Sequence, residues 1–302
     1  MALDVILVVL FLLVGVAAQA LETSDRLRDA VWLGYFWTIT PLLVFATFLT
    51  FRLDRDLLLA VAAAIVATWL VALAGYGYAV LVATERDERG ALTLAVGWPN
   101  TGFVGYPLAQ LAFGDAGLSL AVVYDRLSWL LPSSSISTVV ARLHGRNEVD
   151  VSRDRPLSAV LANPPLLAMA GALALRAGGV SVPFVSEGRS LAAAIVGPAG
   201  FFLLGLSLPL ERIEHGRSEL GLAAGALALR FAGGPLVLLA VGRLIGADVP
   251  GAFYLLAGMP CAFHLLVLAR VYDMRPALMR LLVVGSTLPA VAAVVLGVGI
   301  AR

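Results

Sequence analysis

Long runs without a charged side chain, separated by short polar turns, dominate this chain. A helix needs about 20 apolar residues to cross a hydrocarbon core. Stretches near that length cover Val5–Leu21, Val31–Phe51, Leu57–Thr84, Ala91–Gly114, Pro156–Leu175, Leu191–Leu210, Val249–Ala269 and Leu281–Ala301. Two more are interrupted by charge: Ala116–Ala141 at Asp125 and Arg126, and Gly221–Gly242 at Arg230. The pattern predicts an all-α membrane protein with ten transmembrane helices. The long polar stretch Arg142–Arg155 divides the spans five and five. An odd number per half makes the second half insert upside down relative to the first, an inverted-topology repeat. The expected organisation is a first repeat over residues 1–142, a linker over 143–155 and a second repeat over 156–302.

The pattern breaks twice in matching places. Gly97-Trp98-Pro99 interrupts the fourth span and Gly258-Met259-Pro260 the ninth, 161 residues apart. Proline removes a backbone donor and clashes with the preceding turn. Such interruptions persist in a bilayer only where protein or a water-filled cavity satisfies the freed groups. A matched pair in the two halves is the best sequence pointer to a secondary transporter's binding site. A weaker correspondence supports the repeat: Pro41 precedes Phe45 in span two, Pro198 precedes Phe202 in span seven, and both spans end in a charged turn. Gly102 and Gly105, just after the first break, are expected to permit unusual dihedrals or close helix contact. If the breaks cross near the bilayer midplane, two half-helix N-termini, each carrying roughly +0.5 charge, favour an anion such as a carboxylate. The half-helix C-termini favour a cation.

Composition narrows the class. Of 302 residues, 60% are hydrophobic and 14% charged, against roughly 25% charged in soluble domains. A net charge of +1 gives no reason to expect a nucleic-acid partner, and the single Cys261 excludes an internal disulfide. Every basic residue is Arg. Ala18-Gln19-Ala20 resembles a signal-peptidase site, but the chain opens Met1-Ala2-Leu3-Asp4 without a basic n-region, so cleavage is not expected. With the N-terminus outside, thirteen loop arginines fall on the cytoplasmic side (Arg26, Arg28, Arg86, Arg89, Arg142, Arg146, Arg153, Arg155, Arg212, Arg217, Arg270, Arg275 and Arg280) and six outside (Arg52, Arg55, Arg176, Arg189, Arg243 and Arg302). That bias predicts a multi-pass plasma-membrane protein with both termini outside. The chain has no zincin, nucleophile-elbow or P-loop motif and no cysteine cluster. No enzyme activity, metal or cofactor is expected.

The chemistry-bearing residues follow from the breaks and from charges inside the spans. Asn100 and Thr101 put an amide and a hydroxyl beside Pro99, and both are expected to donate to substrate. Pro260, Cys261 and His264 lie at the second break. Intramembrane charges are costly and are usually paired or functional. Asp125 and Arg126 are adjacent and face about 100° apart on a helix. The expected partner of Asp125 is therefore Arg230 across helices, with Arg126 snorkelling. Asp125 and His264 are the candidates for coupling to protons. Ser133-Ser134-Ser135 either line the site or bond back to their helix.

Asn100-Thr101-Gly102-Phe103-Val104-Gly105-Tyr106-Pro107-Leu108 resembles the Asn-Thr-Gly-Phe-x-Gly-x-Pro signature of the auxin efflux carrier family. Pro260-x-Ala262 followed by Ala269 and Tyr272, Asn163-Pro164, and Leu204-Gly205-Leu206-Ser207-Leu208 are also similar to that family. The resemblance implies a ten-helix carrier with a scaffold of spans one, two, six and seven. Spans three to five and eight to ten would then move, with substrate at the crossover. It also implies a carboxylate substrate, such as malate or malonate for bacterial and archaeal members and auxin for plant members. The chain departs from the family in its short central loop, in a third span without the carboxylate proposed for proton sensing in plant carriers, and in His264, where a small amide is common.

The expected function is therefore alternating-access transport of a small organic anion. The expected partners are that anion and the lipid bilayer, with proton coupling and a homodimer as further expectations. The alternative is a sodium-coupled symporter or cation–proton antiporter on the same plan, which would want more carboxylates near the crossing than Asn100 alone supplies. A non-transporting membrane sensor or scaffold is a third class, which predicts no flux of any anion.

Overall fold

The computed structural model describes residues 2–128, 136–147, 163–208 and 216–300, and these are helical with no strand longer than a single bridge. In chain order the helices are α1 (Ala2–Ala18), α2 (Ser24–Thr50), α3 (Arg55–Val82), α4 (Arg86–Gly97), α5 (Thr101–Ser128), α6 (Ser137–His144), α7 (Pro164–Ala177), α8 (Val185–Ser207), α9 (Arg217–Ile245), α10 (Gly251–Ala257), α11 (His264–Val271) and α12 (Pro276–Ile300). Among the described residues six helices are long and apolar enough to cross a membrane: α2, α3, α5, α8, α9 and α12. The apolar parts of α1 and α7 are shorter.

Helix α5 is not one rod. Continuous helix would separate Thr101 from Asp125, 24 residues on, by about 36 Å. Instead the Thr101 hydroxyl donates to the Asp125 carboxylate. The chain doubles back at Gly114, whose φ of 67° and ψ of −160° leave the helical region. Glycine takes that left-handed φ without the steric cost a side chain would bring. The turn falls at the boundary between the fourth and fifth apolar runs read from the sequence.

Small residues set the closest helix contacts, as is usual where lipid removes the hydrophobic drive between helices. Helices α1 and α8 meet glycine to glycine: a Cβ on Gly15 would overlap the Phe202 carbonyl, and one on Gly205 the Leu12 carbonyl. Gln19 Nε2 fastens the end of α1 to α8 by donating to the carbonyls of Gly205 (2.6 Å) and Leu208 (2.9 Å). Helix α2 packs on α7 and α8. Elsewhere α3 packs on α4 and α9, and α4 on α6 and α12. From Gly90 to Gly97 every residue of α4 is buried, so this helix forms the centre of its bundle. Its first turn is acidic, which suits the positive end of a helix. There Asp87 and Glu88 are buried and paired with arginines: Arg146 Nε lies 2.9 Å from Asp87, and Arg275 lies 3.5 Å from Asp87 and 3.7 Å from Glu88.

Candidate functional site: the paired helix breaks

The two interruptions lie side by side and satisfy each other. Helix α4 stops at Gly97 and α10 at Ala257, each before a proline that cannot continue it. Asn100 N–H donates to the Pro260 carbonyl (2.7 Å) and Ala262 N–H to the Trp98 carbonyl (2.9 Å), an antiparallel bridge centred on Pro99 and Cys261. Neither central residue needs a donor in that bridge. Pro99 has none, and Cys261 N–H goes to Ser286 Oγ (3.0 Å) on α12. The Cys261 thiol faces the Ala95 carbonyl (3.2 Å) and is fully buried. Pro99, Pro260 and Cys261 thus shape the breaks, and Cys261 is turned into the bundle. Gly105 packs close, since a Cβ there would lie 2.6 Å from Leu256 Cδ2 on α10. Neither Gly102 nor Gly105 adopts a positive φ, so close approach, and not an unusual dihedral, explains Gly105.

Asn100 ends the first break and caps α5. Its Oδ1 accepts from Phe103 N–H (3.2 Å) and its own carbonyl accepts from Gly105 N–H (3.0 Å). Because Oδ1 faces a donor, the amide orientation is set, and Nδ2 is the group left over. That Nδ2 is buried and has no partner among the described residues. Just beyond it, a Cβ on Gly102 would meet nothing within 4 Å, so the site opens there. Tyr35 on α2 closes one side, its ring stacked on Phe103 (centroids 5.1 Å apart) and its hydroxyl donating to the Gly102 carbonyl (3.3 Å).

Asp125 does not pair with Arg230. Its carboxylate accepts from Thr101 Oγ1, Tyr106 OH (2.6 Å) and Arg126 Nε (2.8 Å), and Arg126 Nη2 closes the ion pair. The Cβ atoms of adjacent helical residues diverge, but the long arginine stem curls back and brings the guanidinium over the neighbouring carboxylate. Arg126 therefore does not snorkel away. Its side chain keeps 20% exposure against 6% for Asp125. Thr101 faces Asp125. Its hydroxyl proton goes to Asp125, which ties the N-terminus of α5 to the far end of the same helix. Tyr106, Tyr35 and Arg126 also contact this cluster. Tyr106 lies inside the Asn100–Leu108 motif and Arg126 interrupts an apolar run, whereas Tyr35 carries no signal in the sequence.

Arg230 stands on the other face of the breaks. It enters from a π-helical turn of α9, Leu229–Gly233, and is buried. Its Nη1 donates to the Val96 carbonyl (2.5 Å) and its Nη2 to the Ala257 carbonyl. Those carbonyls close the C-terminal ends of α4 and α10. Gly234 lets α9 come near enough, because a Cβ there would overlap the Ala257 carbonyl and lie 2.7 Å from Arg230 Nη2. Tyr35, Thr101 and Arg230 each sit in a π-helical turn, a feature frequent at functional sites. His264 opens α11 and is exposed. Ser133, Ser134 and Ser135 lie outside the described residues.

Apolar helices interrupted beside one another are the arrangement in which membrane transporters place their binding sites. Residues 35–149, which hold the first break, match the family model described as membrane transport protein, the family of the auxin efflux carriers. The resemblance read from Asn100–Leu108 is borne out over that stretch. No curated protein matches the chain.

Proposed function

We propose that the protein carries a small organic anion, a carboxylate, across the membrane by alternating access. The observation that carries this reading is the buried Nδ2 of Asn100 at the N-terminus of α5, which has no partner among the described residues. The Asn100 oxygen is committed to the backbone, so the side chain can only donate. A donor-only amide beside a positive helix end suits an anionic oxygen and repels a cation. Arg126, partly exposed, neutralises the Asp125 carboxylate, so that cluster brings no net negative charge to the site.

In this reading the chain is a ten-span inverted repeat whose broken fourth and ninth spans cross near the midplane. Helices α1, α2, α7 and α8 serve as the scaffold. The rest moves as a bundle, with Tyr35, Phe103 and Gly200 at the sliding contact; Gly200 faces the Phe103 carbonyl and Pro107. Pro99, Asn100 and Gly102 line the anion site, and Thr101 holds its wall. Asp125 and the exposed His264 are candidates for coupling to protons. The orientation in the plasma membrane is N-out and C-out, as the arginine bias favours. The sodium-coupled alternative is disfavoured because a buried guanidinium already sits where the two half-helix C-termini converge.

The test is a melting-temperature screen of the purified protein with malonate, malate and indole-3-acetate, using an alkylammonium salt as control, since a bound ligand raises Tm by mass action. At least one carboxylate should stabilise the wild type. Asn100→Ala should weaken that ligand about 10- to 100-fold, the range for losing a charge-assisted hydrogen bond of about 1.5–3 kcal/mol. No stabilisation by any carboxylate, or equal affinity in the variant, overturns the reading.

A further inference from the structure

The C-terminal face of the breaks raises a separate question. The two half-helix ends at Val96–Gly97 and Ala257 present carbonyls with the negative ends of their helix dipoles. Converging ends of this kind are where cation-coupled carriers hold a free cation. Here one guanidinium donates to both ends, to the Val96 carbonyl at 2.5 Å and to the Ala257 carbonyl. Among the described residues Arg230 has no carboxylate partner, and its guanidinium is held by the two helix ends. Beside it a cavity of about 10 Å³, room for about one water, is lined by Thr68, Val71, Pro99, Tyr124 and Ala257 together with Arg230. The buried Arg230 Nε has no partner among the described residues, which fits a water in that space.

We propose that Arg230 is a tethered cation. It permanently occupies the place at which the paired breaks would otherwise hold a free monovalent cation, so the fold closes without sodium. Without the guanidinium the site would keep two helix-end carbonyls with the hydroxyls of Thr68 and Tyr124 nearby, an oxygen-lined pocket for a small cation. Arg230 is thus a positioning residue for both breaks, and its role stands apart from anion binding at Asn100.

The experiment measures Tm of the purified protein with no carboxylate present. Wild type should melt at the same temperature in sodium chloride and in choline chloride of equal ionic strength, and sodium-specific stabilisation would overturn the proposal. Arg230→Ala should melt several degrees lower. Millimolar guanidinium chloride should raise its Tm while leaving wild type unmoved, and equimolar urea should have no effect. An Arg230→Ala protein as stable as wild type, or one indifferent to guanidinium, overturns the proposal. If Arg230→Ala does not fold, Arg230→Lys decides. It keeps a tethered charge and should fold and stay indifferent to sodium, whereas a sodium-dependent Tm would contradict the assignment. Carboxylate-induced shifts, measured separately, report on the Asn100 reading alone.

Discussion

The two faces of the paired breaks are built to opposite ends. On the C-terminal face the helix carbonyls are capped by Arg230, and Gly234 brings in the helix that supplies it. On the N-terminal face Asn100 satisfies the backbone with its oxygen and leaves its nitrogen buried and unused, with open space past Gly102. A buried donor without a partner costs about 1–3 kcal/mol. The proposed anion site lies on the face that tolerates this cost, and the other face is closed. The dipole argument leads one to expect an anionic and a cationic site, and at the C-terminal ends the positive group present is the Arg230 side chain.

Substitutions on each face sharpen the contrast, and the largest effect belongs to the closed one. Gly234→Ala pushes a methyl into the Ala257 carbonyl and against Arg230. It should destabilise by about 1–3 kcal/mol, the usual range for overpacking, seen as a lower Tm and recovered on reversion. A Gly234→Ala protein as stable as wild type would mean that the α9–α10 contact is loose. Thr101→Val should come next. It removes one of the donors to the buried Asp125 without changing shape, and should cost about 1 kcal/mol while leaving carboxylate affinity within about threefold. A larger loss of affinity than of stability would restore Thr101 as a ligand. Gly102→Ala should be smallest in stability, within about 0.5 kcal/mol, because nothing stands within 4 Å of the added methyl. Its methyl enters the open site, so the ranking of carboxylates by size should change. An unchanged ranking would place the ligand elsewhere.

The sequence carried the positions of the breaks, although a Gly-x-Pro in an apolar run reads equally as a simple kink until it is seen that both helices stop there. It also carried the turn at Gly114, where the apolar run stops at Asp115. It misassigned the charges. Asp125 and Arg126 diverge at Cβ, and helical spacing alone forbids their pairing, yet the arginine stem is long enough to return. The partners of Arg230 are backbone carbonyls, which carry no letter in a sequence and become ligands only once two helix ends converge. Likewise, Thr101 reads as a free hydroxyl until Gly114 folds Asp125 back beside it. Tyr35 lies in another span, and nothing in its own surroundings marks it as a neighbour of Phe103.

The most direct measurement compares the carboxylate-induced Tm shift of wild type with that of Asn100→Asp. Aspartate keeps an oxygen to cap Phe103 N–H, so the helix break should survive with little loss of stability. It replaces the reserved donor with an acceptor and adds negative charge. The account predicts a folded protein in which the carboxylate-induced shift has vanished. A shift of wild-type size in Asn100→Asp would contradict it.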